Sequence, residues 1–93
     1  MKIIERDKPI RGDVYRHFKG KSYVIISGEA KNCTNGADAD KEFVIYYADD
    51  DLSKVFIREQ SEFLSPVDKE KYPDVKQEWR FEKDKMERRN LWL

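Results

Sequence analysis

Arg16, His17 and Lys19 fall within four residues of one another and hold most of the chemistry this chain can offer. Guanidinium and ammonium groups make charge-assisted hydrogen bonds to phosphate or carboxylate, so the cluster reads as an anion site. The structural alternative is that Arg16 and Lys19 are solvated while His17 satisfies a backbone carbonyl. Arg58 and Arg80 extend the set, because Arg58 closes the apolar run Val55-Phe56-Ile57 and Arg80 lies between Trp79 and Phe81, where an arginine is disfavoured unless paired or used. Pairing with Glu42, Glu59 or Glu62 is the competing role for both. Tyr15, Tyr23, Tyr46, Tyr47, Phe56 and Trp79 can stack a base or a ring. In a domain this small most of them must be core, with at most two on a binding surface. The ligand-binding candidates are Tyr15, Arg16, His17, Lys19, Tyr46, Arg58, Trp79 and Arg80.

Catalysis finds less support. A nucleophile needs a base within reach, and the chain's one histidine sits among cations that lower its basicity, so Cys33 paired with His17 makes a poor couple. Asp49, Asp50 and Asp51 are consecutive and lack the alternating spacing of a calcium loop, which fits a hairpin turn better than a metal site. No phosphate-cradling glycine loop and no metal-ligand spacing occurs. The expectation is a non-enzymatic protein with no metal and no cofactor.

The 93 residues suffice for one domain that buries about two thirds of its unfolded surface, too little for a deep internal active site. Hydrophobic residues make up 39%, charged residues 41% and aromatics 13%, which predicts a folded chain whose core is built on rings. Lys+Arg and Asp+Glu both number 19, so no global charge draws the protein to nucleic acid or membrane, and nucleic acid is not an expected partner. Charge is segregated locally. Residues 1–24 hold seven basic against three acidic side chains, and residues 29–51 hold two against seven. A lone cysteine and the lack of an apolar leader after Met1 point to a reducing, cytoplasmic setting. No apolar run reaches the ~18 residues of a membrane-spanning helix.

These side chains must be positioned by short strands. Val14 to Phe18 and Tyr23 to Ser27 form a predicted hairpin about Gly20-Lys21, with Tyr15, His17 and Lys19 on one face and Arg16 and Phe18 on the other. Met1 to Arg11 reads as an edge strand or an ordered arm. Asn32 to Lys41, centred on Asn35-Gly36, is turn chemistry. Glu42 to Ala48 is the clearest strand, and Lys54 to Arg58 alternates as a partly exposed one. Ser61 to Pro66 is a helical turn or short edge element, Asp68 to Gln77 a loop, and Trp79 to Phe81 a last apolar touchdown. Glu82 to Asn90 is strong helix-forming sequence, with Trp79, Met86 and Leu93 spaced as a thin apolar stripe.

With these residues in view, the chain resembles the bacterial and phage family of small domains labelled DUF1653. The family pattern opens with G-x-Y-R-H-[YF]-K-G, matched here from Gly12 and Tyr15-Arg16-His17-Phe18 to Lys19-Gly20. Its later strands correspond to Tyr23–Ile26, Val44-Ile45-Tyr46, Phe56-Ile57-Arg58, Glu62-Phe63-Leu64 and Arg80-Phe81-Glu82. The family's A-x-H-[ST]-E-T-G turn is changed: Asn32 replaces its histidine, and Ala37 to Lys41 are inserted. The resemblance implies a compact SH3-like barrel of about five strands and implies no activity.

The combined expectation is a mainly β protein: a small barrel domain over residues 1–82 and a charged helical extension over 83–93. It would bind an anionic small molecule or nucleotide, or else act as a protein-interaction module through barrel edges and the C-terminal segment. Leu91-Trp92-Leu93 is apolar where a terminus is normally polar, so it either folds back onto the domain or makes a homodimer.

Overall fold

The computed structural model describes residues 6–34, 36 and 40–91. Within them the chain forms five antiparallel strands and one helical turn: β1 (Asp13–His17), β2 (Ser22–Lys31), β3 (Glu42–Ala48), β4 (Asp51–Glu59), α1 (Gln60–Phe63) and β5 (Phe81–Arg88). They make one sheet in the order β4-β3-β2-β1-β5. Both predicted hairpins are present, and β3 has the predicted bounds. Gly20 takes φ +107° in the first turn, a conformation that a residue bearing a Cβ rarely adopts.

Two expectations need correction. The segment after Phe81 is a strand and not a helix. Its helix-forming residues are overruled because the outer edge of β1 carries backbone groups that need partners, and β5 supplies them through the pairs His17↔Phe81, Arg16↔Glu82 and Tyr15↔Lys83. Met86 is therefore 93% exposed and belongs to no apolar stripe. Trp92 and Leu93 lie outside the described residues. The second correction concerns closure: β4 and β5 are the two ends of an open sheet, so the backbone does not complete a barrel.

Side chains close what the backbone leaves open. The ring centroids of Tyr46 on β3 and Phe81 on β5 are 5.5 Å apart. A flat sheet would put roughly 14 Å between those strands, at about 4.8 Å per step, so the sheet must curl around this pair. Arg58, on the far edge strand β4, reaches to 5.6 Å from the same Phe81 ring. The core on this inner face joins Tyr15, Ile25, Val44, Tyr46, Phe63 and Phe81, with Tyr23 and Leu64 packed against it. Phe63 lies flat on Phe81, centroids 4.0 Å apart.

Local devices hold the periphery. The one-turn helix lacks a side-chain N-cap and is fixed instead by burial of Phe63 and by Gln60 Nε2, which donates to the Gly28 carbonyl at 2.7 Å. Of the N-terminal segment predicted as an edge strand or arm, residues 6–10 form no strand. Arg6 donates to the carbonyls of Leu64 and Phe81 and stacks over Trp79 at 4.5 Å, which makes the segment a clasp. At the other end, Arg89 N–H donates to the Gly12 carbonyl and its guanidinium pairs with Asp49. Gly12 has φ +93°, and a Cβ there would sit 2.3 Å from the Arg89 carbonyl oxygen. No helix among the described residues is long and apolar enough to cross a membrane.

Phe81→Ala should lower stability by about 3–5 kcal/mol, the usual range for emptying a buried aromatic site. Urea unfolding followed by tryptophan fluorescence measures it; a loss below about 1 kcal/mol would mean that the sheet does not need this ring to stay curled.

A cationic shelf on the inner face of the sheet

Strand alternation decides which candidates share a face. Tyr15 and His17 of β1 point inward with Tyr23, Tyr46, Phe56, Arg58 and Phe81, whereas Arg16, paired with Ser22 and Glu82, points outward. Arg16 is thus removed from the cluster. Tyr15 is buried at the floor, edge-on to Phe63, and burial, followed by the charge of Asp13, pushes its hydroxyl up to about 12. Trp79 is taken by Arg6 and does not join the cations of the inner face.

His17, Lys19, Arg58 and Arg80 do come together. His17 stands edge-on to Phe81 at 4.9 Å and stacks on Phe18 at 4.4 Å. Its Nδ1 accepts the Lys19 backbone N–H at 3.1 Å, which puts the proton of a neutral ring on Nε2 and leaves Nε2–H as a donor. Burial, then the charges of Arg58, Arg80 and Lys19 in that order, depress His17 to about 4. Arg58 donates from Nε to the Tyr46 hydroxyl at 3.2 Å and from a terminal nitrogen to Glu62 at 2.6 Å. Burial opposes its charge, but these two partners more than offset that and favour the guanidinium.

Arg80 is placed by its backbone. Its N–H donates to the Ser65 carbonyl, its carbonyl accepts from Phe18 N–H, and its Nε donates to Ser65 Oγ at 3.2 Å. No carboxylate pairs with it among the described residues. Lys19 lies over the rings of Phe18 and Tyr72, at 5.9 and 5.7 Å, and those two rings meet at 4.9 Å. Tyr72 is delivered by the loop over residues 68–77, in which Asp68 caps two N–H groups and Lys69 binds the Val75 and Gln77 carbonyls.

Sequence reading missed Phe18, Glu62, Ser65, Tyr72 and Phe81 as members of this site. Only Glu62 left a legible trace, because it stands four residues after Arg58. Of the acidic pairings considered, Arg58 takes Glu62, while Glu42 and Glu59 go to Lys8 and Lys41. Asp49 is engaged by Arg89, and Asp51 accepts from both the backbone and the hydroxyl of Ser53. Cys33 is exposed in the loop between β2 and β3, away from the inner face. A cleft of about 420 Å³ is lined by Arg11, Arg88, Arg89, Asn90 and Leu91 at the end of β5. Its Arg89 already holds Asp49 and Glu87.

The His17 shift has a sign that can be checked. A histidine depressed from its ordinary 6.5 to about 4 takes a proton more readily in the unfolded chain. Its contribution to stability is therefore complete above pH 6.5 and is lost as pH falls toward 4. His17 is the only histidine, so an NMR titration of one imidazole tests this; a midpoint above about 6 would show that the ring is neither buried nor faced by the three cations.

A family model described as "Protein of unknown function (DUF1653)" matches residues 13–83, from the start of β1 into β5 and across every residue of the shelf. No curated protein and no solved structure matches the chain. With the opening hairpin, the central strands and the closing Arg80-Phe81-Glu82 all inside the matched span, the chain belongs to the DUF1653 family.

Proposed function

We propose that this protein is a non-enzymatic binding module that holds an anionic small molecule, a nucleotide among the eligible ligands, on the inner face of an SH3-like curled sheet. The observation that carries the reading is the convergence of Arg58, Arg80 and Lys19 on a neutral His17, with Glu62 as the carboxylate engaged there. Cations brought together in this way repel one another, so an anion between them relieves an unfavourable arrangement and gains charge-assisted hydrogen bonds. An exposed thiol at Cys33 suits a reducing, cytoplasmic setting.

A second reading has its own observation. On β4, an edge strand, Leu52, Val55 and Ile57 are 70%, 55% and 64% exposed. An apolar edge of this kind accepts an added strand, which supports an interaction module working through a sheet edge.

Thermal-shift measurements with phosphate and with nucleotides separate the two. A ligand present at 100 times its Kd should stabilise the fold by about 2.7 kcal/mol. Arg80→Ala should leave stability within about 0.5 kcal/mol and remove that response. Arg58→Ala should remove it and also destabilise by about 1–2 kcal/mol, since it strips the Tyr46 hydroxyl and Glu62 of a partner. Arg16→Ala, on the outer face, is the control that changes neither. A full response in both the Arg58 and Arg80 variants would reject the shelf as the site and leave the β4 edge as the better reading.

A further inference from the structure

The charge and layout of the shelf say more about its ligand than that it is an anion. Resting on the anion-site reading above, we infer that the shelf is built for a phosphomonoester dianion carried on a planar ring. Arg58 lies 5.6 Å from the Phe81 ring that His17 meets edge-on, Lys19 lies 5.9 Å from the Phe18 ring on which His17 stacks, and the Arg80 carbonyl accepts the Phe18 N–H. Three cations against the carboxylate of Glu62 thus leave a surplus of two positive charges around His17. A carboxylate would neutralise one of them, whereas a phosphomonoester dianion matches both. The donors suit phosphate oxygens as well. His17 offers Nε2–H, Lys19 its ammonium, and Arg80 the terminal nitrogens of a guanidinium whose Nε is held by Ser65.

The ring position is set by Phe56. It lies two residues before Arg58 on the inward face of β4, so the two side chains stand roughly 7 Å apart along the strand. Phe56 is stacked on Tyr46 and met edge-on by Tyr23, yet it remains 41% exposed. An exposed aromatic face beside a cluster of phosphate donors is the arrangement that seats a ring linked to a phosphate through a short spacer.

Three probes test the inference: phenyl phosphate, inorganic phosphate and benzoate, each titrated at pH 7 while the His17 imidazole signals are followed by NMR. Phenyl phosphate should bind about tenfold more tightly than inorganic phosphate, and Phe56→Leu, which keeps an apolar side chain but no ring, should abolish that difference. A phosphomonoester loses its second charge with a pKa near 6, so phenyl phosphate should weaken about tenfold from pH 7 to pH 5. His17, at about 4, stays mostly neutral over that range and the Tyr46 and Glu62 partners keep Arg58 a cation, so the change reports the ligand. Benzoate binding as tightly as phenyl phosphate, or a pH-independent phenyl phosphate affinity, would overturn the dianion assignment while leaving an anion site. An unchanged phenyl phosphate affinity in Phe56→Leu would overturn the ring assignment. Silence of the His17 signals toward all three probes would reject the anion site itself.

Discussion

The ring of Phe81 is the contact on which the rest of the molecule depends. An open five-stranded sheet has two edges that backbone hydrogen bonds cannot join, and on this short chain a flat sheet would leave its inner face half wet. Phe81 gathers that face to one point. It stacks on Phe63 from α1, meets Tyr46 and Tyr23 from the central strands, takes His17 of β1 edge-on and lies under the Arg58 guanidinium of β4. Every strand of the sheet therefore has a side chain on this ring or contributes the ring itself. Its neighbours fix its position from both sides: Arg6 holds its carbonyl, and the backbone of Arg80 is pinned between Ser65 and Phe18.

The cationic shelf follows from the same node. Arg58 and His17 are distant in sequence and on different strands, and they approach because both rest on Phe81. Packing the rings forces the cations close, and hydrogen bonding then orders them: Tyr46 and Glu62 aim Arg58, Ser65 aims Arg80, and the Lys19 backbone selects the tautomer of His17. Stability and charge convergence are thus two results of one arrangement. Loss of Arg80 differs from loss of Arg58 for this reason: the Ser65 hydroxyl that Arg80 holds still donates to the Glu62 carbonyl, whereas Arg58 serves both the Tyr46 hydroxyl and the Glu62 carboxylate.

The legible part of the fold was the part encoded by alternation. The runs Val14 to Phe18, Tyr23 to Ser27 and Glu42 to Ala48 have the β-branched and aromatic content and the short spacing of strands, and β1, β2 and β3 form over them, with Phe18 left in the turn after β1. The Glu82 to Asn90 tail was misleading because helix propensity is a local quantity, of a few tenths of a kcal/mol per residue, and the unpaired edge of β1 is a tertiary demand. The site was half legible. His17, Lys19, Arg58 and Arg80 stood out as cations in apolar company, and the structure groups them. Arg16 was separable by parity alone. Tyr72 was not, because its place beside Phe18 is set by the Asp68 and Lys69 bonds of an irregular loop.

The pairing of β5 with β1 also governs when this protein can be finished as it is made. The sheet's central hairpins are local and can form early, but the strand that covers β1 and brings Phe81 lies roughly 60 residues downstream, several seconds of synthesis at ~5–20 residues per second. Until then the nascent chain presents the aromatic face of Tyr15, Tyr23 and Tyr46 without its central ring, beside an uncovered strand edge. β5, in bringing Phe81, both completes the core and assembles the shelf.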